Sequence, residues 1–178
     1  MRALVVALSV AVVSACSSNP PIGGAPAPET IRVSGTGSVT VTSNATAGVS
    51  IVAGSIAKVW RLLPMVYDSV GLHVATLDPA RHLIGNGDTK LRRQLGGVPL
   101  SRFLDCGQTQ IGYNADSYEV VLTVQTQLQS DSSGATTVRT LVTAMSKPIA
   151  FSQDYSACSS TGKLEARVSD VIRAKLTP

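Results

Sequence analysis

The chain has 178 residues, of which 44% are hydrophobic, 15% charged and only 4% aromatic, with a formal net charge of +4. So apolar a chain with so small a net charge is not disordered throughout, and no sustained heptad pattern supports a long coiled coil. No apolar run reaches the ~20 residues of a spanning helix, which excludes a polytopic membrane protein, and the length suits one domain with one core.

Met1-Arg2 supplies a positive charge, and Ala3 to Val13 is then apolar apart from Ser9. A basic start, a short apolar stretch and small residues read as a secretory signal over residues 1–15. Val13-Ser14-Ala15-Cys16 resembles the lipobox of bacterial lipoproteins: an aliphatic residue, two small ones, then the cysteine that receives the lipid. The resemblance implies that Cys16 is the acylated first residue of the mature chain, where several acyl chains give stable anchoring. It also implies, from Ser17 in place of Asp, an outer membrane as the destination, facing the periplasm, if the source has one. Residues 16–30 contain Pro20, Pro21, Pro26, Pro28, Gly23 and Gly24 and read as a tether. A single domain is expected over 31–178.

Ile31 to Thr42 reads as a strand, with Val39 and Val41 alternating with Ser and Thr, and Val49 to Ala53 is a second apolar stretch. Ser55 then stands in N-cap position. Ile56, Val59, Trp60, Leu63, Val66, Tyr67 and Val70 fall on one helical face, with a kink expected near Pro64 and a stop at Gly71. Leu72–Leu77 and His82–Asn86 flank the turn chemistry of Asp78-Pro79-Ala80-Arg81, which predicts a hairpin. Lys90 to Leu95 reads as a short helix ended by Gly96-Gly97, and Arg102 to Asp105 as a strand running into Cys106. Tyr118 to Gln129 alternates clearly, with Val120, Leu122, Val124 and Leu128 on one face. Asp131-Ser132-Ser133-Gly134 predicts a hairpin loop. Thr136 to Ser146 returns with Val138, Val142 and Ala144 inward. A last helix spans about Gly162 to Leu176, with Ser159, Ser160 and Thr161 as candidate caps. Glu165 in its first turn and Arg173 and Lys175 in its last suit the helix dipole.

Two amphipathic helices and strands with one buried face predict an α+β domain of two layers, a mainly antiparallel sheet covered on one face by two helices. The order strand, helix, strands, helix resembles the helix-grip architecture, as in domains of the NlpB/BamC-type lipoproteins of the outer-membrane assembly machinery. With Cys16 lipidated, Cys106 and Cys158 remain as an even pair in an exported chain, for which a disulfide is the expected reading. It would staple the start of the last helix to the sheet. No metal site or other cofactor is expected, since zinc needs about four ligands and the chain has two histidines.

Among candidate functional residues, His73 and His82 could face each other across the hairpin with Asp78 or Asp88, although two histidines on strands are more often polar face residues. Ser160-Thr161-Gly162-Lys163 matches S-x-x-K without the companion elements of penicillin-binding enzymes, and reads as helix capping. Trp60, Tyr67 and Phe103 read as core, whereas Tyr113, Tyr118, Phe151 and Tyr155 lie near loops and could mark a binding edge. The strongest lead is basic: Arg81, Lys90, Arg92, Arg93 and Arg102 face only Asp88. This segment holds effectively all of the chain's net charge and would attract an anionic envelope polymer, lipid headgroups or an acidic protein. Nucleic acid is not an expected partner, because no stacking-aromatic pattern accompanies the cations. The expected function is a non-catalytic, lipid-anchored binding or assembly module of the cell envelope. The alternatives are a carrier with an apolar cavity between sheet and helix, and an envelope hydrolase.

Overall fold

The computed structural model describes residues 47–150 and 152–177. The signal segment, Cys16, the tether, the strand expected over Ile31–Thr42 and Phe151 lie outside the described residues. The elements run β1 (Gly48–Val52), α1 (Ile56–Val70), β2 (Thr76–Asp78), β3 (Leu83–Gly85), β4 (Thr89–Arg92), β5 (Gln94–Leu95) and β6 (Val98–Pro99). A 3-10 turn at Leu100–Arg102 leads to β7 (Leu104–Asp105), β8 (Gln108–Thr109), β9 (Gly112–Tyr113) and the single helical turn α2 (Asn114–Ser117). The chain then makes β10 (Glu119–Ser130), β11 (Thr136–Lys147), β12 (Ser156–Ser160) and α3 (Lys163–Leu176).

The long β10–β11 hairpin organises the sheet, running from Glu119 opposite Lys147 to Ser130 opposite Thr136. Its turn is closed by Asp131, whose carboxylate accepts from the Ser132 amide and the Ser133 hydroxyl. β1 pairs with the first half of β11 and β12 with its far end. β3 and β4 both pair with β10, β2 extends β3, and β7 extends β12. Every one of these pairings is antiparallel, so the domain is α+β with a mainly antiparallel sheet.

The expected alternation holds along both long strands. Val120, Leu122, Val124 and Leu128 are buried from one, and Val138, Val142 and Ala144 from the other. α1 covers this face with Val59, Leu63, Val66, Tyr67 and Val70, and α3 with Leu164, Val168 and Ile172. The two helices touch each other, α1 against β10 and α3 against β1 and β11. Burying one such aliphatic side chain contributes about 1.5–3 kcal/mol. Three polar groups share this core without being orphaned. The Tyr67 hydroxyl donates toward the Ile84 carbonyl and meets Thr126 at 3.0 Å, and Thr126 meets Thr140 at 3.1 Å. Burial pushes the Tyr67 phenol well above its ordinary range, so it stays neutral.

α1 passes through Pro64 without a break in the helical assignment and ends where Gly71 turns left-handed at φ 84°. Gly71 lies against Gly96: a Cβ on Gly71 would come within 2.7 Å of the Gly96 nitrogen, and one on Gly96 within 2.6 Å of the Val70 carbonyl. Only glycine permits both this φ and this approach.

Four expectations require correction. Lys90–Leu95 is not a helix: Thr89–Arg92 is a strand on β10, Arg93 has a positive φ of 68°, and Gln94–Leu95 pairs with Val98–Pro99. The register slips by one residue between β3 and β4, a β-bulge at 86–88. There Asn86 replaces the missing ladder bonds, its Oδ1 accepting from the Val124 amide and its Nδ2 donating to the Leu122 carbonyl. The first hairpin is shorter than predicted, because Leu72–Ala75 precede the strand. Arg102 belongs to the 3-10 turn rather than to a strand. Cys158 lies inside β12, opposite Ala144, not merely ahead of the last helix. The cap of α3 is correspondingly indirect: Gly162 stands at the N-cap, and the Ser160 hydroxyl accepts from its amide while donating to buried Glu165.

Candidate functional site

The sheet ends in a corner where cations and exposed apolar side chains meet. Strand alternation puts Glu119, Lys147, Lys90 and Arg92 on the face away from the helices. Glu119 is the hub: Arg92 lies 3.5 Å from its carboxylate, Lys90 and Lys147 3.8 Å each, and the Tyr155 hydroxyl donates to it at 2.6 Å. Lys147 also stands 4.7 Å over the Tyr155 ring, a cation–π contact. The Tyr155 hydrogen bond, then Lys90, Lys147 and Arg92, hold the Glu119 carboxyl below the usual carboxylate range. The same bond pushes the Tyr155 phenol up. One carboxylate against three cations leaves the cluster positive. Arg93 follows at once and pairs with no carboxylate among the described residues.

The facing wall is the excursion between β4 and β10. Cys106 and Cys158 bring their sulfurs to disulfide distance, 2.09 Å. This link fastens the chain after β7 to β12 and so to the centre of the sheet. Just beyond it, the β8–β9 hairpin is closed at its base. The Gly107 amide donates to Asp105, the Asn114 amide to the Gly107 carbonyl, and the Asn114 side chain to the Cys106 carbonyl. Asp116 clips α2 to the 3-10 turn by accepting from the Ser101 amide at 2.9 Å and its hydroxyl at 2.6 Å. The pinned hairpin lifts Ile111 to 92% exposure and Tyr113 to 59%, while Ile149 of the β11–β12 connection stands beside them at 51%.

Between these walls lies an open cleft of about 690 Å³ lined by Arg92, Arg93, Ile111, Tyr113, Tyr118 and Ile149. A second of about 510 Å³ adjoins it and is mostly apolar, with Ile111, Tyr118, Pro148, Ile149 and Ala150. A third of about 420 Å³ continues past Ile149 to Glu119 and Lys147.

The five cations singled out in the sequence do not form one patch. Lys90, Arg92 and Arg93 share the corner. Arg81 does not: its guanidinium pairs with Asp78 at 2.7 Å and its carbonyl lies near Gln127. Gln127 is eight residues along β10 from Glu119, ~27 Å at about 3.4 Å per residue. Arg102 sits in the 3-10 turn, where its carbonyl accepts from the Thr161 hydroxyl. Lys147, Ile111 and Ile149 complete the corner and were not singled out. The alternation of β11 places Lys147 outward, and Ile111 is an isolated aliphatic in a polar stretch. The two isoleucines become a feature only when separate loops bring them together. Tyr113 and Tyr118 line the first cleft, and Tyr155 is bound to Glu119 beside it.

The other candidates separate. His82 occupies the β2–β3 turn with a positive φ of 48°, its ring edge-on to half-buried Trp60 at 5.6 Å. His73 is exposed ahead of β2, so the two do not face across paired strands. Among the described residues no group of three or more His, Cys, Asp or Glu could hold a metal ion, and no helix is long and apolar enough to cross a membrane. Tyr67 and Phe103 are core residues.

No family model, curated protein or solved structure matches the chain.

Proposed function

We propose that this is a lipid-anchored protein of the cell envelope, held through Cys16, whose folded domain is a non-catalytic binding or assembly module. Its partner is anionic and sits at the Arg92–Arg93 corner. The observation that carries the reading is the juxtaposition of Arg93, which pairs with no carboxylate among the described residues, and a net-positive cluster with exposed Ile111, Tyr113 and Ile149 around one cleft. Cations draw in an anionic partner, and exposed aliphatic and aromatic side chains supply desolvation energy once it has arrived. A cysteine pair at disulfide distance suits an oxidising compartment, as the envelope location requires. By the lipoprotein resemblance, Ser17 directs the anchor to an outer membrane, facing the periplasm, if the source has one. The helix-grip likeness belongs to the same reading, and both long helices on one face of the sheet support it.

Nothing favours the ligand-carrier alternative, because the layer between α1 and β10 is occupied by Val59, Leu63, Val66 and Tyr67, each fully buried. The test is the double charge reversal R92E/R93E in cells, combined with chemical crosslinking of the envelope. Loss of crosslinked product, whether protein, polymer or lipid, with unchanged protein level is expected, and an unchanged pattern of all three overturns the partner site. For the anchor, C16A abolishes incorporation of labelled fatty acid, and persistent labelling overturns the lipidation site.

A further inference from the structure

We propose that the anionic partner of this corner is a phospholipid surface, so that the domain lies down on an anionic leaflet through Ile111 and Ile149 with Arg92, Arg93, Lys90 and Lys147 at headgroup level. The inference rests on the reading of the corner as an anionic-partner site and names that partner.

The arrangement of the apolar groups favours lipid over an acidic protein. Anchoring residues of protein interfaces sit in well-packed pockets ringed by neighbours. Here the apolar groups are the tips of two separate loops. Ile111 is at the end of a two-stranded hairpin, 92% exposed, and Ile149 stands between Pro148 and Ala150 in the β11–β12 connection. Exposed aliphatic loop tips suit an interface that flows around them, and they gain their transfer energy on entering the acyl boundary. Tyr113 at 59% exposure carries a ring that is apolar in body and polar at its end, the character favoured at headgroup depth. Behind the tips stand four cations against two carboxylates, Glu119 in the cluster and Asp116 in the cleft lining, where Ser101 binds it. The balance stays positive, and each basic residue near an anionic leaflet strengthens binding appreciably at ordinary ionic strength. The hairpin is fixed at its base by the Cys106–Cys158 link and the Asn114 and Asp105 hydrogen bonds. Its tip is therefore presented with little ordering left to lose.

The proposed anchor makes weak docking sufficient. The 30 residues between Cys16 and Ala47 span at most ~110 Å even when fully extended, so the corner stays at high effective concentration near the bilayer.

The experiment uses the full chain carrying C16A, so that no acyl anchor contributes, with I111W added; the C16A parent with its single Trp60 serves as background. Each is incubated with vesicles of phosphatidylcholine alone, or of phosphatidylcholine mixed with phosphatidylglycerol, with brominated acyl chains as quenchers. Strong quenching of the I111W indole above the parent signal is expected in the anionic vesicles only. R92E/R93E in the same background should raise the lipid concentration needed for half-quenching at least about tenfold. Equal quenching in both vesicle types, or none in either, overturns the proposal. If the indole stays unquenched while R92E/R93E still abolishes crosslinking in cells, the partner is an acidic protein or polymer: the lipid assignment fails and the binding-module reading stands. If both fail, the corner is not an anionic site.

Discussion

On the inner side of the sheet, α1 and α3 close over β10 and β11, and residues such as Leu63, Tyr67, Leu122 and Ile172 are almost completely buried. At the corner formed by residues 93–118 and 148–150, strands are two residues long, and Ile111, Tyr113 and Ile149 stand in the open. The first region is held by interdigitated apolar side chains acting together. The second is rooted in the same core by buried Leu95, Leu100, Phe103 and Leu104, but its exposed tips are positioned by discrete fasteners: one sulfur link, Asp116 on Ser101, and Asn114 and Asp105 at the hairpin base. The contrast shows how a small domain can present a binding edge. The apolar layer supplies the stability, and local clips position side chains that contribute little to it.

This contrast can be broken from either side, and the largest effect belongs to the packed region. Leu63→Ala removes a fully buried side chain between α1 and the sheet and should cost about 3–5 kcal/mol in equilibrium denaturation. A cost below about 1 kcal/mol would mean that the layer is not close-packed. Replacing Cys106 and Cys158 by Ala opens a loop of 52 residues, for which the chain-entropy model gives up to about 4 kcal/mol. Amide exchange should accelerate most over 107–114, and uniform acceleration would show that the link serves the whole fold rather than the corner.

Asp116→Ala leaves the Ser101 amide and hydroxyl without their partner and should cost about 1–2 kcal/mol, read by the same denaturation. The Glu119 hub yields a pH dependence. Its carboxyl is held below the ordinary range, so its contribution to stability is complete above that range and lost as pH falls through the folded value. Tyr155→Phe removes the first cause of the depression. Carboxyl NMR titration should therefore find Glu119 titrating at higher pH in that variant, and an unchanged midpoint would return the hub to Lys90, Lys147 and Arg92 alone. The smallest effect on stability is that of Ile111→Ser, within about 0.5 kcal/mol for so exposed a residue. The same change should weaken vesicle association clearly, and a large loss of stability instead would make Ile111 structural.

Much of the packed region was legible because its periods are local. A two-residue repeat assigned the inward side chains of β10 and β11, and a 3.6-residue repeat assigned those of α1 and α3. Thr126 and Thr140 escaped because a threonine inside is paid for by Tyr67, whose approach no local pattern shows. The strand at Thr89–Arg92 escaped for a related reason. Four alternating residues carry too short a signal, and their pairing depends on a bulge completed by Asn86 against a strand more than thirty residues away. At the corner the sequence showed that Lys90, Arg92 and Arg93 are close, since neighbours in the chain cannot be far apart. It could not show that Arg81 is carried to the far end of β10.

What the sequence by itself determined is therefore the α+β class, the buried faces of its long elements and the pairing of its two downstream cysteines. Each follows from short-range periodicity or from counting. Only the tertiary structure decided which cations share a surface, which carboxylate gathers them, and that Ile111 and Ile149 stand together in the open. Those facts depend on register, a one-residue bulge and a long-range sulfur link, and antiparallel pairing brings residues together according to where strands start rather than how near they lie in the chain.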